Sequence, residues 1–380
     1  MPRRRSRWPD GCRAPGGCRG RTRRKQAAPR SKPLRGWPCA DDGRSDRVTS
    51  EPGGAAVPLA GSGVSVVVPN WNGRRWLPDC LMAIAGQRQP AGEVIVVDNG
   101  SEDGSLEYLR REHPGVRVLE LGRNTGFAHA ANRGIVLASG ELVALVNTDV
   151  VLREDWLGRM AGAAAADLQA ASVACKMLSL SDPTRVYDAG DVLRRDGVCE
   201  QRGRFARDDG RWDGPGEVFG ACAGAALYRR ELVLGVGGFD ERYFAYLEDV
   251  DLALRLALAG WTCRYEPAVA WHAGEGSSHQ LTGDHQFLVT RNTVVLVAKS
   301  FPLRWLPFVV YRQLGWGSHA LRERRLTAHL RGLAAAIPML PGALRARRRA
   351  AAHSPSALAS TIPKRPVRGP RAGGHPAQWR

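Results

Sequence analysis

The stretch Val64-Ser65-Val66-Val67-Val68-Pro69-Asn70-Trp71-Asn72-Gly73 decides the fold. Its first five residues are an almost continuous apolar run of β-branched side chains, as expected of a strand buried on both faces in a parallel sheet. The last five turn abruptly to Pro, Asn and Gly, which end strands and favour turns. A helical stretch follows at 74–85, with Leu77, Leu81 and Ile84 at helical spacing. The alternation then repeats: strand 93–97, helix 105–112, strand 116–121, helix 127–138, strand 142–146. Short strands alternating with helices predict right-handed βαβ units and a mostly parallel central sheet. The second half is less regular. It offers a strand at 172–175, a loop-rich excursion at 182–215, and helices at 249–259 and 286–298.

Outward from this block the composition changes. The chain has 380 residues, 55 Lys plus Arg against 37 Asp plus Glu, and a formal net charge of +18. Residues 1–62 are net +10 and residues 299–380 net +15, which leaves residues 63–298 at −7. Basicity of this size suggests a nucleic-acid binder, but it belongs to the ends and the middle is acidic. Residues 1–62 mix Arg, Gly, Pro and Ser without apolar periodicity and are expected to be disordered, either as a solvated extension or as a nucleic-acid arm. Residues 301–349 alternate apolar and aromatic clusters with Arg. That pattern suits amphipathic helices that lie on an anionic membrane surface, cover the core or pair with another subunit. Residues 350–380 are expected to form a disordered tail.

No apolar run reaches the roughly 18–20 residues a membrane span needs, and the Arg-rich start at 1–10 has no apolar stretch behind it as a secretory signal would. The eight cysteines include no C-x-x-C pair, which argues against a zinc site and for reduced thiols in a cytosolic protein.

In an open parallel sheet, ligands bind beyond the carboxyl ends of the strands. Those ends are loaded with polar residues: Pro69-Asn70-Trp71-Asn72-Gly73, Asp98-Asn99-Gly100-Ser101, Asn124-Thr125-Gly126 and Asn147-Thr148-Asp149. Asn, Asp and Gly are also ordinary turn and cap residues. Asp98 stands out, because a carboxylate at the end of an apolar run is costly unless something pairs with it. A G-x-G-x-x-G fingerprint after a strand and a P-loop are both absent, which weighs against a common NAD enzyme or kinase.

Five motifs carry a family resemblance: VSVVVPNWNG at 64–73, VIVVDNGSEDGS at 94–105, NTGFAHAANRG at 124–134, LVNTDV at 145–150 and GGFDERYFAYLEDVDL at 237–252. In this order, over residues 63–300, the chain resembles glycosyltransferase family 2, and within it the rhamnosyltransferase-like branch of bacterial cell-wall and O-antigen enzymes. The resemblance implies the nucleotide-diphospho-sugar transferase (GT-A, Rossmann-like) α/β fold and inverting transfer. It implies that Asp98 reads a pyrimidine base and that Pro69, Asn70, Asn72, Asn99 and Ser101 line the nucleotide. Asn124, Gly126 and Asn132 would shape the pocket near ribose and diphosphate, although Asn132 equally suits a polar helix residue bonded to backbone.

Asn147-Thr148-Asp149 stands where the family carries its D-x-D-type metal motif, with Asn147 in the first position and Asp149 as the one carboxylate. Mg²⁺ or Mn²⁺ is the implied cofactor, since both favour oxygen ligands. His272 matches a position where many relatives place another metal ligand. Glu248, Asp249 and Asp251 open a helix, where three carboxylates raise one another's proton affinity as a general base requires, and where acidic residues also serve as plain caps. The family's E-D-x-D motif makes Asp249 the base, Glu248 its neighbour near the acceptor and Asp251 a support. The small-residue run Gly220-Ala221-Cys222-Ala223-Gly224 would flank the acceptor.

The expected function is transfer of one sugar, L-rhamnose from dTDP-L-rhamnose or a sugar from a UDP-sugar, to a lipid-linked or cell-envelope polysaccharide acceptor. The expected place is the cytoplasm, peripheral at the inner face of the plasma membrane. Gln286 and Arg291 are not spaced as the Q-x-x-R-W of processive synthases. The other function class, a nucleic-acid-binding protein acting through its Arg-rich ends, lacks an aromatic platform and a recognised binding fold, and no specific nucleic-acid partner is expected.

Overall fold

The computed structural model describes residues 63–274 and 285–351, together with the strand Arg47–Val48. Apart from that strand and the helical residues 350 and 351, the disorder expected at 1–62 and 350–380 lies outside the described residues. In chain order the elements are β1 Arg47–Val48, β2 Val64–Asn70, α1 Leu77–Ala85, β3 Glu93–Asp98, α2 Ser105–Glu112, β4 Arg117–Glu120, α3 Phe127–Leu137, β5 Leu142–Val146, β6 Val150–Leu152, α4 Trp156–Ala166 and β7 Ala170–Ser179. There follow β8 Val186–Asp188, β9 Asp191–Leu193, β10 Cys199–Gln201, β11 Gly216–Val218, β12 Ala225–Arg229, α5 Arg230–Gly235, α6 Glu248–Leu258 and β13 Thr262–His272. The helices α7 His285–Ser300, α8 Leu306–Arg322, α9 Leu326–Ala336 and α10 Leu340–Ala351 complete the described chain.

The main sheet runs β1-β4-β3-β2-β5-β12-β7-β13-β11, with β6 beside β13 and β8 beside β7. β4, β3, β2 and β5 pair in parallel, as do β7 and β13, and β12 runs against both blocks between them. The parallel blocks therefore point the same way, and the carboxyl ends of β2, β3, β4 and β5 meet along one edge.

Period-two alternation explains why β2 reads as a continuous apolar run. Val66 and Val68 pack into one core layer with Leu77, Leu81 and Ile84 of α1 and Trp156, Leu157 and Met160 of α4. Val67 faces the opposite layer, with Ile95, Leu145 and Ala128, Ala131 and Ile135 of α3. Each fully buried aliphatic side chain in such layers contributes about 1.5–3 kcal/mol. A third core joins Val250 and Leu254 of α6 to Val295 and Leu296 of α7, and to Phe301, Trp305, Val309, Ala336 and Ala343.

The structure differs from expectation in detail. α1 begins at Leu77 and not at 74, because residues 73–76 close a turn in which the Trp76 and Leu77 amides donate to the Gly73 carbonyl, at 2.8 and 3.0 Å. The strand at 172–175 extends over all ten residues of β7. The excursion at 182–215 contains three short strands, β8 to β10. α4, β12 and β13 had no counterpart in the sequence reading. No helix among the described residues is long and apolar enough to cross a membrane.

Candidate active site

At the end of β2, Asn70 is buried, and its Nδ2 donates to Asp98 Oδ1 (2.8 Å) and Ser101 Oγ (3.0 Å). Ser101 returns its backbone N–H to Asp98 Oδ2 (3.0 Å), and its Oγ accepts from the Asn72 backbone (2.9 Å). The adjoining Gly73 has no room for a side chain, since a Cβ there would sit 2.4 Å from Asn70 Oδ1. At the end of β3, Asn99 Nδ2 donates to Asn124 Oδ1 and the Gly126 carbonyl, both at 3.1 Å, and its Oδ1 accepts from the Thr125 backbone and hydroxyl, both at 2.8 Å. Gly126 has φ +89°, and a Cβ there would meet Phe244 at 2.6 Å. The asparagines thus replace backbone pairing where three strands end, and they splice the loops into one rigid polar edge.

Asn147, Thr148 and Asp149 follow β5. Asp149 Oδ2 lies 3.6 Å from His272 Nδ1 at the end of β13. The His272 ring stacks on Tyr187 with centroids 4.2 Å apart and planes 8° from parallel, and Arg204 also lies over Tyr187, its guanidinium carbon 4.2 Å from the ring centroid. Burial pushes the His272 pKa down despite Asp149, so the ring is neutral. Its Nδ1 accepts the Gly274 N–H at 2.8 Å, which leaves the ring proton on Nε2.

The donors here fit an oxygen-preferring divalent cation. Asn147 Oδ1 is buried without a hydrogen-bond partner, and the Asp149 carboxylate stands two residues on. His272 would join them only by giving up its bond from Gly274. Among the described residues no three His, Cys, Asp or Glu side chains cluster to hold a metal, so remaining ligands would have to come from a bound phosphate or water.

Facing this edge is the start of α6. Phe244, Tyr246 and Leu247 all have positive φ, between 66° and 68°, a conformation such residues adopt only when held. The hold is Asn292 of α7, fully buried, whose Nδ2 donates to the carbonyls of Tyr243 (3.1 Å), Ala245 (2.8 Å) and Tyr246 (2.7 Å).

The loop delivers Glu248 and Asp249 into the site. Asp249 Oδ1 accepts the Val250 N–H (2.8 Å) and Oδ2 the Ala223 N–H (3.3 Å), yet burial raises its pKa. Burial and the Asp249 charge push Glu248 well above the usual carboxyl range, and its Oε2 is buried without a partner. Asp251 points away into an ion network, with Lys299 Nζ at 2.6 Å and Arg255 Nε at 2.7 Å.

Together these elements enclose a cavity of about 740 Å³. Of the expected site residues, Pro69, Asn70, Asn99, Asn124, Gly126, Asn147, Asp149, Glu248, Asp249 and His272 line it. Asp98, Asn72 and Ser101 are not among the lining residues and brace the loops from behind. Asn132 is also outside, with its amide taken up by the Phe239 carbonyl (2.8 Å), the Phe239 N–H (2.8 Å) and Glu241 Oε1 (2.9 Å). Asp251 lies outside the cavity, paired with Arg255 and Lys299.

The sequence reading missed Tyr187, Asp191 and Arg204 from the excursion and Arg312, Trp316 and His319 from α8, all in the wall. The one signal available was the density of Arg and Asp in 182–215. Burial also raises Asp188, to about 7, and Asp191 well above the ordinary carboxylate range, with the Asp188 and Asp249 charges adding to the shift at Asp191.

Comparison with known proteins gives the family. Residues 65–235 match the sequence model of glycosyl transferase family 2. An N-acetylglucosaminyl-diphospho-decaprenol L-rhamnosyltransferase of Mycobacterium tuberculosis is 31% identical over 247 residues, 56% of this chain and 78% of that protein. A pre-mycofactocin glycosyltransferase of the same species is 31% identical over 209 residues, 54% of this chain and 41% of its own. Among solved structures, the mannosyltransferase PcManGT from Pyrobaculum calidifontis in complex with GDP-Man and Mn²⁺ aligns over 80% of this chain and 84% of its own, with TM-score 0.44 and 22% identity. The chain belongs to glycosyl transferase family 2. It is a glycosyltransferase, and its α/β fold around a large central sheet is of the class the resemblance implied.

Proposed function

We propose that this enzyme transfers a single sugar with inversion, L-rhamnose from dTDP-L-rhamnose or a sugar from a UDP-sugar, to a lipid-linked or cell-envelope polysaccharide acceptor at the inner face of the plasma membrane. The observation that carries it is one cavity walled on one side by Asn70, Asn99, Asn124 and Asp149 and on the other by Glu248 and Asp249. The 31% identity to a relative named as a decaprenol-linked L-rhamnosyltransferase supports the donor and acceptor classes.

Asn70, Asn99, Asn124 and Gly126 hold the nucleotide end, with Asp98 and Ser101 fixing them. Asp149 and Asn147 would hold Mg²⁺ or Mn²⁺, which when bound offsets negative charge on the diphosphate. Asp249, its basicity raised by burial, takes the proton from the acceptor hydroxyl. The hydroxyl oxygen bonds to the anomeric carbon from the face opposite the diphosphate. As that bond forms, the bond from the anomeric carbon to the phosphate oxygen breaks and the diphosphate leaves with the electron pair. Glu248, whose proton affinity burial and the Asp249 charge raise, offers a hydrogen-bond donor to the acceptor when it carries its proton.

Melting curves with dTDP-L-rhamnose and UDP-sugars, with and without Mn²⁺ or Mg²⁺, test the reading. A donor present at about 100 times its Kd stabilises the fold by about 2.7 kcal/mol. Absence of stabilisation by every nucleotide-sugar, with metal present, overturns it.

A further inference from the structure

Helix α8 has two faces of opposite character. At about 100° per residue, Arg312, Trp316 and His319 fall on one side, and these line the cavity. Leu306, Val310, Leu314 and Leu321 fall within about 80° of one another on the other side. They are 46, 50, 70 and 62% exposed. Leu303 and Tyr311 extend the patch, at 73 and 80%. Exposed large apolar side chains gathered on one helix face are unusual on a free surface and mark an interaction site.

The surroundings select the partner. Arg304, Arg322, Arg324 and Arg325 are exposed around this row, and residues 301–351 hold ten arginines and one acid, Glu323. A symmetric pairing with a second copy would set one arginine rim against another. An anionic bilayer offers an apolar interior for the leucines and opposite charge for the rim. With no helix among the described residues able to span, the contact is superficial.

We propose that this face of α8 docks on an anionic lipid surface, bringing the cavity wall formed by the same helix to the membrane that carries the acceptor. The inference rests on the proposed function only for the lipid-linked acceptor, because the docking face stands on α8 itself.

Sedimentation of the full chain with phosphatidylcholine vesicles, with and without phosphatidylglycerol, tests it. Binding is expected with phosphatidylglycerol, weaker in high salt and weak with phosphatidylcholine alone. The double variant Val310→Glu, Leu314→Glu should lose about tenfold in partitioning while melting near wild type, since both side chains are at least half exposed. The pair Arg324→Gln, Arg325→Gln should flatten the salt dependence. No binding to phosphatidylglycerol vesicles, or binding that the Glu variant leaves intact, overturns the proposal. So does dimerisation in sedimentation velocity that the Glu variant abolishes, which would assign the face to a second copy. Vesicle binding without any nucleotide-sugar binding would count against the proposed function alone.

Discussion

Asp249 and Asp251 stand two positions apart in one motif and live in different surroundings. Asp249 faces the cavity and accepts only backbone N–H groups, whereas Asp251 is fully buried between Lys299 and Arg255. Asp249→Asn preserves size and most hydrogen bonding but cannot take a proton. Steady-state assays are expected to show a turnover loss of about 10²–10⁴-fold with little change in donor affinity. Retention of more than about a tenth of wild-type turnover would move the base to Glu248. Asp251→Asn should instead lower stability by about 3 kcal/mol in denaturant unfolding, because it leaves Lys299 and Arg255 short of a buried partner. Arg204 is a second contrast. Its guanidinium makes no ion pair with a described residue, bonds to Gln201 and stacks on Tyr187 beside His272 and Asp149. If it meets the diphosphate, Arg204→Gln should weaken nucleoside diphosphate binding about tenfold and leave the monophosphate little changed in calorimetric titration. Equal losses for both would place it elsewhere.

Among the elements, the part legible in the sequence is the part whose signal is local. β2, β3 and β5 are buried on both faces, so their apolar runs announce them, and the turn residues that follow are the strand-end loops themselves. α6 is legible from its acidic first turn. By contrast β12 (Ala225–Arg229) and the start of β7 are rich in Ala, which carries little strand propensity, and they are strands because β5 and β13 flank them. Tyr187 and Arg204 enter the site from an excursion whose course is set by contacts made far away in the chain, such as Lys176 with Asp208 (2.8 Å) and Asp213 (2.6 Å). Asn292 was invisible for the same reason, since its three carbonyl partners lie 46 to 49 residues earlier. Asn292→Ala removes the clamp on this left-handed loop and takes the side-chain donor from the carbonyls of Ala245 and Tyr246, while that of Tyr243 keeps Arg291 at 2.7 Å. Turnover should fall at least tenfold, with stability lower by about 1–3 kcal/mol. Unchanged turnover in a stably folded variant would show that the loop keeps its conformation unaided.

At the scale of the whole molecule, the acidic balance of residues 63–298 is partly turned inward. Asp188 and Asp191 are 1 and 4% exposed, and burial raises both, Asp188 to about 7. An unfolded aspartate titrates near about 3.9, so between about pH 4 and 7 the folded chain binds more protons than the unfolded one. Stability from this source is full below about pH 4 and is lost as pH rises through about 7. If Asp188 acted by itself, the loss across the window would be at most about 4 kcal/mol. Asp188→Asn keeps an oxygen to accept the Gly190 N–H, which the native carboxylate accepts at 2.8 Å, but never ionises. Its melting temperature should therefore fall less than the wild-type value between pH 5 and 8, with the two curves converging toward acid. Parallel curves over that range would mean that Asp188 stays protonated throughout or that water reaches it, and Asp188 would then have no part in the pH dependence of the fold.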